Sequence, residues 1–274
     1  KMWLPIIYFS SSGNTKYICE IVARGLNSAS MEAELIPLKK IGDYPNFMEE
    51  SVGFGIGAPV YGGNFTPNIV EWMHQFPITN EKKYFFLIDT NAGLPCAALI
   101  KSKNILTKKG YTFIVGLEIT APTRDSVFWM DFFEHVSWPL NSLKRAFYFG
   151  KRIAQNLKTG TEDVVKEFRI MPLGNILSNL FPYIERRFYI FMTKIMAHNP
   201  TKCVKCGACE SLCPAGAIDV QKNIYFDPEK CFFCFKCMRN CPKGALYLKI
   251  YPKAKFFKGP FQVKGYIKPD ELRF

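Results

Sequence analysis

The sequence predicts an α/β fold with a doubly wound parallel sheet, followed by a second, smaller domain that is rich in cysteine. Over residues 4–119, short apolar runs alternate with segments whose apolar residues recur at helical spacing, as is typical of a parallel sheet covered by helices. Eight of the ten cysteines crowd into Cys203–Cys241. The 274 residues exceed one typical domain, and an apolar content of 48% allows a substantial core.

Five strands are expected in the first domain. They are the short apolar runs Leu4–Phe9, Glu34–Leu38, Val52–Val60, Lys83–Ile88 and Thr112–Ile119. One helix begins near Thr15, and two more follow the third and fourth strands. Polar loops follow strands one, three and four. Because ligands bind beyond the carboxyl ends of parallel strands, one ligand can contact all three loops.

The first of these loops, Ser10–Thr15, has the sequence SSSGNT and joins a strand to a helix. Backbone N–H groups at a helix N-terminus lack partners within the helix and favour an anion, and Gly13 lets the backbone bend closely. The loop therefore fits a phosphate group. The alternative is a helix-capping turn, because serine, asparagine and threonine are common N-cap residues.

A second glycine-rich stretch, Gly53–Ala58, has the sequence GFGIGA and matches the dinucleotide-binding fingerprint. That fingerprint needs a helix directly after it, whereas Pro59–Tyr61 continues as strand and loop. We therefore interpret these glycines as a device for close packing within a strand, and we do not expect NAD binding.

The stretch IIYFSSSGNTKYICEIV resembles the FMN-phosphate signature of the flavodoxin family, with Ser10, Gly13 and Thr15 at matching spacing and Cys19 where the family favours alanine. The resemblance implies a five-stranded flavodoxin-like sheet whose three loops hold FMN. Tyr61 is the candidate for stacking on the flavin ring, and a turn tyrosine that caps the sheet is the alternative. The implied FMN-binding residues are Ser10, Ser11, Ser12, Gly13, Asn14, Thr15, Pro59, Val60, Tyr61, Gly62, Gly63, Asn64, Phe65, Thr90, Asn91, Ala92 and Gly93.

The cysteines form two copies of one motif. CVKCGACESLCP and CFFCFKCMRNCP share the spacing C-x2-C-x2-C-x3-C-P and repeat with a period of 28 residues. Zinc is the rival ligand for any CxxC pair, but two complete repeats of this spacing favour iron–sulfur clusters. Cysteines concentrated in this way, without a signal-peptide pattern, indicate metal ligation in a reducing, cytoplasmic compartment.

These repeats resemble the bacterial two-cluster ferredoxin pattern, which implies a small α+β domain with two [4Fe–4S] clusters. In that pattern the first three cysteines of each repeat bind one cluster and the fourth cysteine binds the other. The resemblance thus implies one cluster held by Cys203, Cys206, Cys209 and Cys241. It implies a second cluster held by Cys231, Cys234, Cys237 and Cys213.

The assignments divide the chain into three parts. They are a flavodoxin-like FMN domain at residues 1–160, a hydrophobic connector at 161–199, and a ferredoxin domain with a C-terminal extension at 200–274. The longest uncharged run of the connector, Ile170–Ile184, is too short and too interrupted by proline and glycine to be a transmembrane helix. We expect it to pack between the domains. Peripheral contact with a membrane or a partner is the alternative.

The formal net charge is +13. The basic residues are spread along the chain and accompany no nucleic-acid motif, so we expect a surface that steers an acidic redox protein of the ferredoxin or flavodoxin type, not a nucleic-acid site. The candidate docking residues are Arg186, Arg187, Lys255 and Lys258. Three scattered histidines and no Ser/His/Asp grouping predict no catalytic residue.

The whole pattern resembles the flavodoxin–ferredoxin fusion proteins of anaerobic microbes. That resemblance implies an electron carrier, more than a dedicated enzyme, which passes electrons between FMN and two clusters and on to a partner. Two alternatives stay open. One is an FMN-dependent reductase of a small acceptor such as a quinone or a nitro compound, fed through the clusters. The other is an iron–sulfur redox sensor, for which no output domain is recognisable.

Overall fold

The structure is a computed structural model, and it describes residues 2–93, 97–122, 137–159, 186–221, 223–254, 256 and 259–274. The strands of its N-terminal part are β1 (Met2–Tyr8), β2 (Met31–Pro37), β3 (Gly53–Tyr61), β4 (Asn64–Phe65), β5 (Tyr84–Asn91) and β6 (Thr112–Thr120). Five of them form a parallel sheet in the order β2-β1-β3-β5-β6, and the short β4 pairs antiparallel with β3.

This strand order confirms the doubly wound α/β prediction. Counted along the parallel strands alone, it is the 2-1-3-4-5 order of flavodoxin-like sheets. All five predicted strands are present, with ends that differ by a few residues. Most residues of β1 and β5 are buried, as their unbroken apolar runs predict for strands covered on both faces. The topological switch point lies between β1 and β3.

Helices cover both faces of the sheet. They are α1 (Asn14–Ser28), α2 (Phe47–Glu50), α3 (Pro67–His74), α4 (Ala98–Thr107) and α5 (Leu140–Thr159). Helices α1 and α5 share one hydrophobic core with one set of strand side chains, and α2, α3 and α4 share a second core with the alternate set. The three helices that the sequence predicts correspond to α1, α3 and α4.

Helix α5 crosses α1 at two glycines. A Cβ atom at Gly25 would collide with the backbone carbonyl of Phe147, and one at Gly150 would collide with the backbone carbonyl of Val22. The obstacle is backbone in both cases, so side-chain rotation cannot relieve it. Glycine at these two positions therefore sets how closely the two helices approach.

Replacing Gly150 with alanine will lower the free energy of unfolding by about 2–3 kcal/mol, because the new Cβ pushes α5 away from the Val22 carbonyl. The gain of about 1 kcal/mol in helix propensity is too small to offset this loss. Urea unfolding monitored by circular dichroism measures the change. Gly42→Ala is the matched control, because a Cβ there meets nothing within 4 Å. Equal stability of Gly150→Ala and the wild type would contradict the close crossing.

The cysteine-rich part contains short elements only. They are helix α6 (residues 186–194), β7 (Met196–His198), α7 (Ala208–Leu212), β8 (Ile218–Asp219), β9 (Tyr225–Phe226), α8 (Lys236–Arg239) and β10 (Leu246–Leu248). Strand β7 pairs antiparallel with β10, and β8 pairs antiparallel with β9. A shift of 28 residues carries β7 onto β9 and β8 onto β10, so the sequence duplication is also present in the fold.

Part of the predicted connector packs with this cysteine-rich part. Met192 and Met196 share a hydrophobic core with Phe233 and Leu248, and the pairing of β7 with β10 joins the same region to the end of the second repeat. The division into domains at residues 160 and 199 stays a prediction. The uncharged run of the connector lies outside the described residues.

The C-terminal segment returns to the N-terminal part. The Tyr17 hydroxyl of α1 donates a hydrogen bond to the Ile267 carbonyl (2.7 Å), and Arg24 Nη2 donates one to the Leu272 carbonyl (3.2 Å). Val263 and Leu272 are buried in the core that α1 and α5 share. Residues 259–274 therefore pack along the outer surface of α1. The sequence does not predict this packing.

Candidate functional site

The loop Ser10–Thr15 lies between β1 and α1, at the carboxyl edge of the sheet. Gly13 is the N-cap of α1, its φ of 93° is left-handed, and no side chain among the described residues caps the helix. The Gly13 N–H donates instead to Ser10 Oγ (3.0 Å). Because no side chain satisfies the first turn of this 15-residue helix, its N–H groups keep their capacity to bind an anion. The Ser10–Gly13 hydrogen bond is also compatible with the capping-turn alternative, so FMN binding is the property that distinguishes the two interpretations.

This first loop contacts both other predicted loops. Ser11 Oγ lies 2.8 Å from the Tyr61 hydroxyl, at the end of β3. Thr15 Oγ1 lies 2.7 Å from Thr90 Oγ1, near the end of β5, and both threonines are buried. These contacts place the polar residues along one edge of the sheet, as the sequence predicts.

The second predicted loop is a tight hairpin. Gly62 and Gly63 both have positive φ angles, 53° and 79°, and they connect β3 to β4 through the pair Tyr61–Asn64. Two successive positive φ angles are typical of a type I′ turn, which favours glycine at both positions. Residues 59–61 thus belong to β3 and residues 64–65 to β4, so the sequence prediction of an irregular loop applies to the two glycines alone.

The third predicted loop begins later than expected, because Thr90 and Asn91 are the last residues of β5. Asn91 Oδ1 accepts a hydrogen bond from the Gly93 N–H (2.8 Å), and its Nδ2 donates one to Asp89 Oδ1 (2.8 Å). Asp89 is fully buried, and loss of solvation raises the pKa of its carboxyl well above the usual range. A buried acidic side chain therefore lies under this end of the site.

Asn14 supplies a further polar group at the first loop. Its Nδ2 donates to the Pro122 carbonyl (2.7 Å), and its Oδ1 is buried without a hydrogen-bond partner among the described residues. Buried polar atoms are normally satisfied, so an orphaned acceptor beside an uncapped helix N-terminus fits a site that a polar ligand completes. The residues present therefore fit the phosphate and polar chain of FMN.

The first and fourth cysteines of the two repeats accept equivalent backbone hydrogen bonds. The first cysteine of each repeat accepts a backbone hydrogen bond from the residue two positions later, Lys205 N to Cys203 Sγ and Phe233 N to Cys231 Sγ, both 3.4 Å. The fourth cysteine accepts one from the alanine four positions later, 3.3 Å for Cys213 and 3.2 Å for Cys241. Backbone N–H groups directed at sulfur stabilise thiolate ligands and tune an iron–sulfur cluster.

The fourth cysteine of each repeat lies with the first three of the other repeat. Cys203, Cys206, Cys209 and Cys241 line one depression. In the second group, burial is the main cause that raises the pKa of Cys231, Cys234 and Cys237, and the nearby Cys213 raises each of them further. This is the grouping that crossed ligation needs.

The spacing of these sulfurs also bears on the zinc alternative. A tetrahedral zinc with Zn–S bonds of about 2.3 Å needs sulfurs roughly 3.8 Å apart. Among the described residues, no group of three or more His, Cys, Asp or Glu side chains is arranged to hold one metal ion. In a [4Fe–4S] cluster each cysteine binds a different iron, so the ligands stand further apart. The choice between zinc and clusters therefore rests on the C-x2-C-x2-C-x3-C-P spacing of the two repeats.

A phenylalanine of the second cysteine repeat packs against residues next to the predicted FMN loops. Phe232 lies between Cys231 and Cys234. Its ring packs edge-on against Phe9, with centroids 5.9 Å apart, and lies tilted against Tyr61 at 6.4 Å. Lys236 Nζ lies 5.4 Å from the centre of the Phe9 ring. Phe9 directly follows β1 and precedes the first loop, and Tyr61 is the last residue of β3, next to the Gly62–Gly63 turn. The two candidate cofactor sites are therefore in contact.

Five further residues considered from the sequence have separate outcomes. Cys19 is buried and packs under Gly57 of β3, where a Cβ would collide with its sulfur, so the glycine interpretation of GFGIGA agrees with the structure. Four of them lie outside the described residues: Cys96, which follows the third predicted loop, His135, which is one of the three scattered histidines, and the candidate docking residues Lys255 and Lys258.

A model of a known protein family matches the cysteine-rich part of the chain. Residues 202–245 match a family model described as a 4Fe-4S dicluster domain. No curated protein matches the chain. Among the helices that the structure describes, none is long and apolar enough to cross a bilayer.

Solved structures resemble the N-terminal part. A flavodoxin from the domain Archaea shares 18% identity over 57% of this chain and 99% of its own, with a TM-score of 0.43. A Streptococcus pneumoniae TIGR4 flavodoxin shares 15% over 56% and 99%, with a TM-score of 0.44. The rubredoxin oxygen:oxidoreductase of Desulfovibrio gigas shares 13% over 57% and 36%, also at 0.44. The strand order β2-β1-β3-β5-β6 is the basis for assigning the fold of this part.

Proposed function

We propose that this protein passes electrons between FMN, held at the three loops of the sheet, and two [4Fe–4S] clusters, held by the crossed cysteine groups, and on to a redox partner. One observation carries the proposal: Phe232, from the ligand loop of the second cluster, packs on Phe9 and Tyr61 at the FMN loops. Electron tunnelling falls steeply with distance, so contact between the two sites suits direct exchange within one chain.

The cofactors would supply complementary chemistry, because FMN exchanges electrons in ones or pairs and each cluster exchanges one at a time. The residues of the chain position them. The N-terminus of α1 would hold the phosphate, and the Tyr61 ring is placed to flank a flat ligand. Phe233 and Phe235 are buried and limit water access to the second cluster. A reducing cytoplasm would keep the eight thiols available.

The charge of the chain favours a protein partner. With two oxidised clusters and an FMN phosphate bound, the formal charge falls from +13 to about +7. A basic holoprotein attracts an acidic carrier over several ångströms beyond contact, which raises the association rate. The proposed partner is therefore an acidic ferredoxin or flavodoxin.

Salt dependence tests this assignment. We expect electron exchange between the holoprotein and an acidic [2Fe–2S] ferredoxin to slow at least about threefold between 0.01 M and 0.15 M NaCl, since screening shortens the Debye length from about 30 Å to about 8 Å. Stopped-flow absorbance measures the rate. Reduction of an uncharged quinone is the control and should change little. A rate that is flat over this range for the ferredoxin, together with rapid quinone turnover, would favour an enzyme instead.

One observation favours that second candidate, a reductase of small acceptors. A cleft of about 660 Å³ lies between the two cofactor-binding parts. Tyr61, Phe65, Tyr189 and Phe232 contribute aromatic walls to it, and Lys230 adds a basic group. Clefts of this size between domains are common ligand sites. The cleft would place a flat acceptor beside Tyr61, so steady-state turnover of quinones is the measurement that separates the two functions.

A further inference from the structure

The two cysteine repeats differ strongly in exposure at one pair of equivalent positions. Val204 and Phe232 are 28 residues apart and each follows the first cysteine of its repeat. Phe232 is 4% exposed because it packs on the FMN-loop region, whereas Val204 is 59% exposed. In the second repeat this position thus forms an internal contact next to the predicted FMN loops, whereas in the first repeat the equivalent side chain is exposed to solvent.

The cysteines beside these positions differ in the same way. Cys206 is exposed, and its counterpart Cys234 packs against the hydrophobic core of the N-terminal part. The phenylalanines that cover the second repeat, Phe233 and Phe235, correspond to Lys205 and Gly207 in the first. The group of Cys203, Cys206, Cys209 and Cys241 is therefore the less covered of the two.

Lysines surround the exposed position. Lys202, Lys205 and Lys243 are all exposed, and no acidic side chain that the structure describes forms an ion pair with any of them. Val204, Lys205, Cys206 and Lys243 line one depression. We define these residues together with Lys202 as the outer edge. An apolar centre ringed by cations complements an acidic surface around a redox centre.

We propose that the outer edge is the docking site for an acidic one-electron carrier protein, and that electrons leave or enter the chain there. The proposal rests on the proposed electron-transfer function and adds an order to it: FMN loops, second-repeat cluster, first-repeat cluster, partner. In each exchange one electron leaves the donor centre and reduces the acceptor centre by one. No bond or proton is transferred between the proteins.

Charge reversal at the outer edge tests this proposal. Lys202→Glu with Lys243→Glu should raise the Kd for an acidic [2Fe–2S] ferredoxin at least about tenfold at low salt and slow electron exchange by a similar factor. Isothermal titration calorimetry and stopped-flow absorbance measure the two effects. Lys144→Glu with Arg145→Glu is the matched control. This control reverses two positive charges as well, but on α5. Helix α5 covers the face of the sheet opposite to the one that Phe232 contacts.

A second variant tests the apolar centre. Val204→Asp leaves every lysine in place, and it should also weaken ferredoxin binding because it adds a like charge where the acidic partner approaches. Iron content close to the wild-type value shows that the clusters are intact. If Lys202→Glu with Lys243→Glu loses iron, the single change Lys243→Glu replaces it.

The outcomes separate this proposal from the proposed function. Transfer between clusters and FMN within the chain should be unchanged in all of these variants. Intact internal transfer, combined with equal ferredoxin binding in the outer-edge variant and the wild type, would overturn the docking site and leave the electron-transfer function standing. A loss confined to the α5 control would move the docking site to α5. Absence of internal transfer in the wild type would overturn the proposed function itself.

Discussion

Replacing Cys213 with alanine will remove the cluster of Cys231, Cys234 and Cys237 and spare the cluster of the repeat in which Cys213 itself lies. Iron content should fall from about eight to about four atoms per chain. The physical reason is the position of Cys213, which is close enough to the second-repeat thiols for its charge to raise their pKa values, in addition to the larger effect of burial. Iron analysis and EPR of the reduced protein measure the loss.

Single replacements of other repeat cysteines are the matched controls for this test. With crossed ligation, the EPR spectrum of Cys213→Ala should equal that of Cys237→Ala, and the spectrum of Cys241→Ala should equal that of Cys209→Ala. Without crossing, Cys213→Ala would instead resemble Cys209→Ala. Retained FMN binding serves as the check that the N-terminal part remains folded in each variant.

Replacing Gly13 with valine will raise the Kd for FMN at least about 100-fold. Gly13 has a φ of 93°, which a β-branched residue rarely adopts, and its Cβ would lie 2.8 Å from Pro260 Cδ of the C-terminal segment. The loop must therefore move, and the N–H groups of α1 lose their arrangement around the phosphate. Quenching of flavin fluorescence on titration of the apoprotein measures the Kd.

Three comparisons control this prediction. Gly42→Val should bind FMN normally, because a Cβ there meets nothing within 4 Å. Thr15→Ala removes one hydroxyl and should weaken binding by about tenfold. Riboflavin lacks the phosphate and should bind far less tightly than FMN. Equal affinity of the wild type for riboflavin and FMN would exclude the phosphate role of Ser10–Thr15.

Much of the fold and of the candidate site can be predicted from the sequence, because the sequence patterns that indicate them are local. The repeat spacing identifies the eight cysteines without any tertiary information, since cluster ligation fixes how many residues separate the ligands. The first loop is also local, because a strand, a polar turn with Gly13 and a helix follow one another directly. These parts of the candidate site needed no knowledge of distant contacts.

Other parts depend on distant contacts, and the sequence did not predict them. Helix α5 was missed because its buried residues alternate with many basic ones, which we interpreted as charged surface alone; the helical spacing of Leu143, Ala146, Phe149 and Ile153 was the available signal. The contact of Phe232 with Phe9 joins segments more than 200 residues apart. Asp89 was not assigned to the site, although an acidic residue at the end of an apolar strand is an unusual feature.

The central claim, that electrons pass between FMN and the clusters within one chain, is tested most directly by rapid photoreduction of the anaerobic holoprotein. Absorbance at flavin and cluster wavelengths follows the redistribution of electrons after a short flash. The account predicts a first-order exchange whose rate is independent of protein concentration, and loss of this phase in Cys213→Ala, which lacks the cluster next to Phe232. An exchange rate that rises in proportion to protein concentration would show transfer between molecules and would contradict the account.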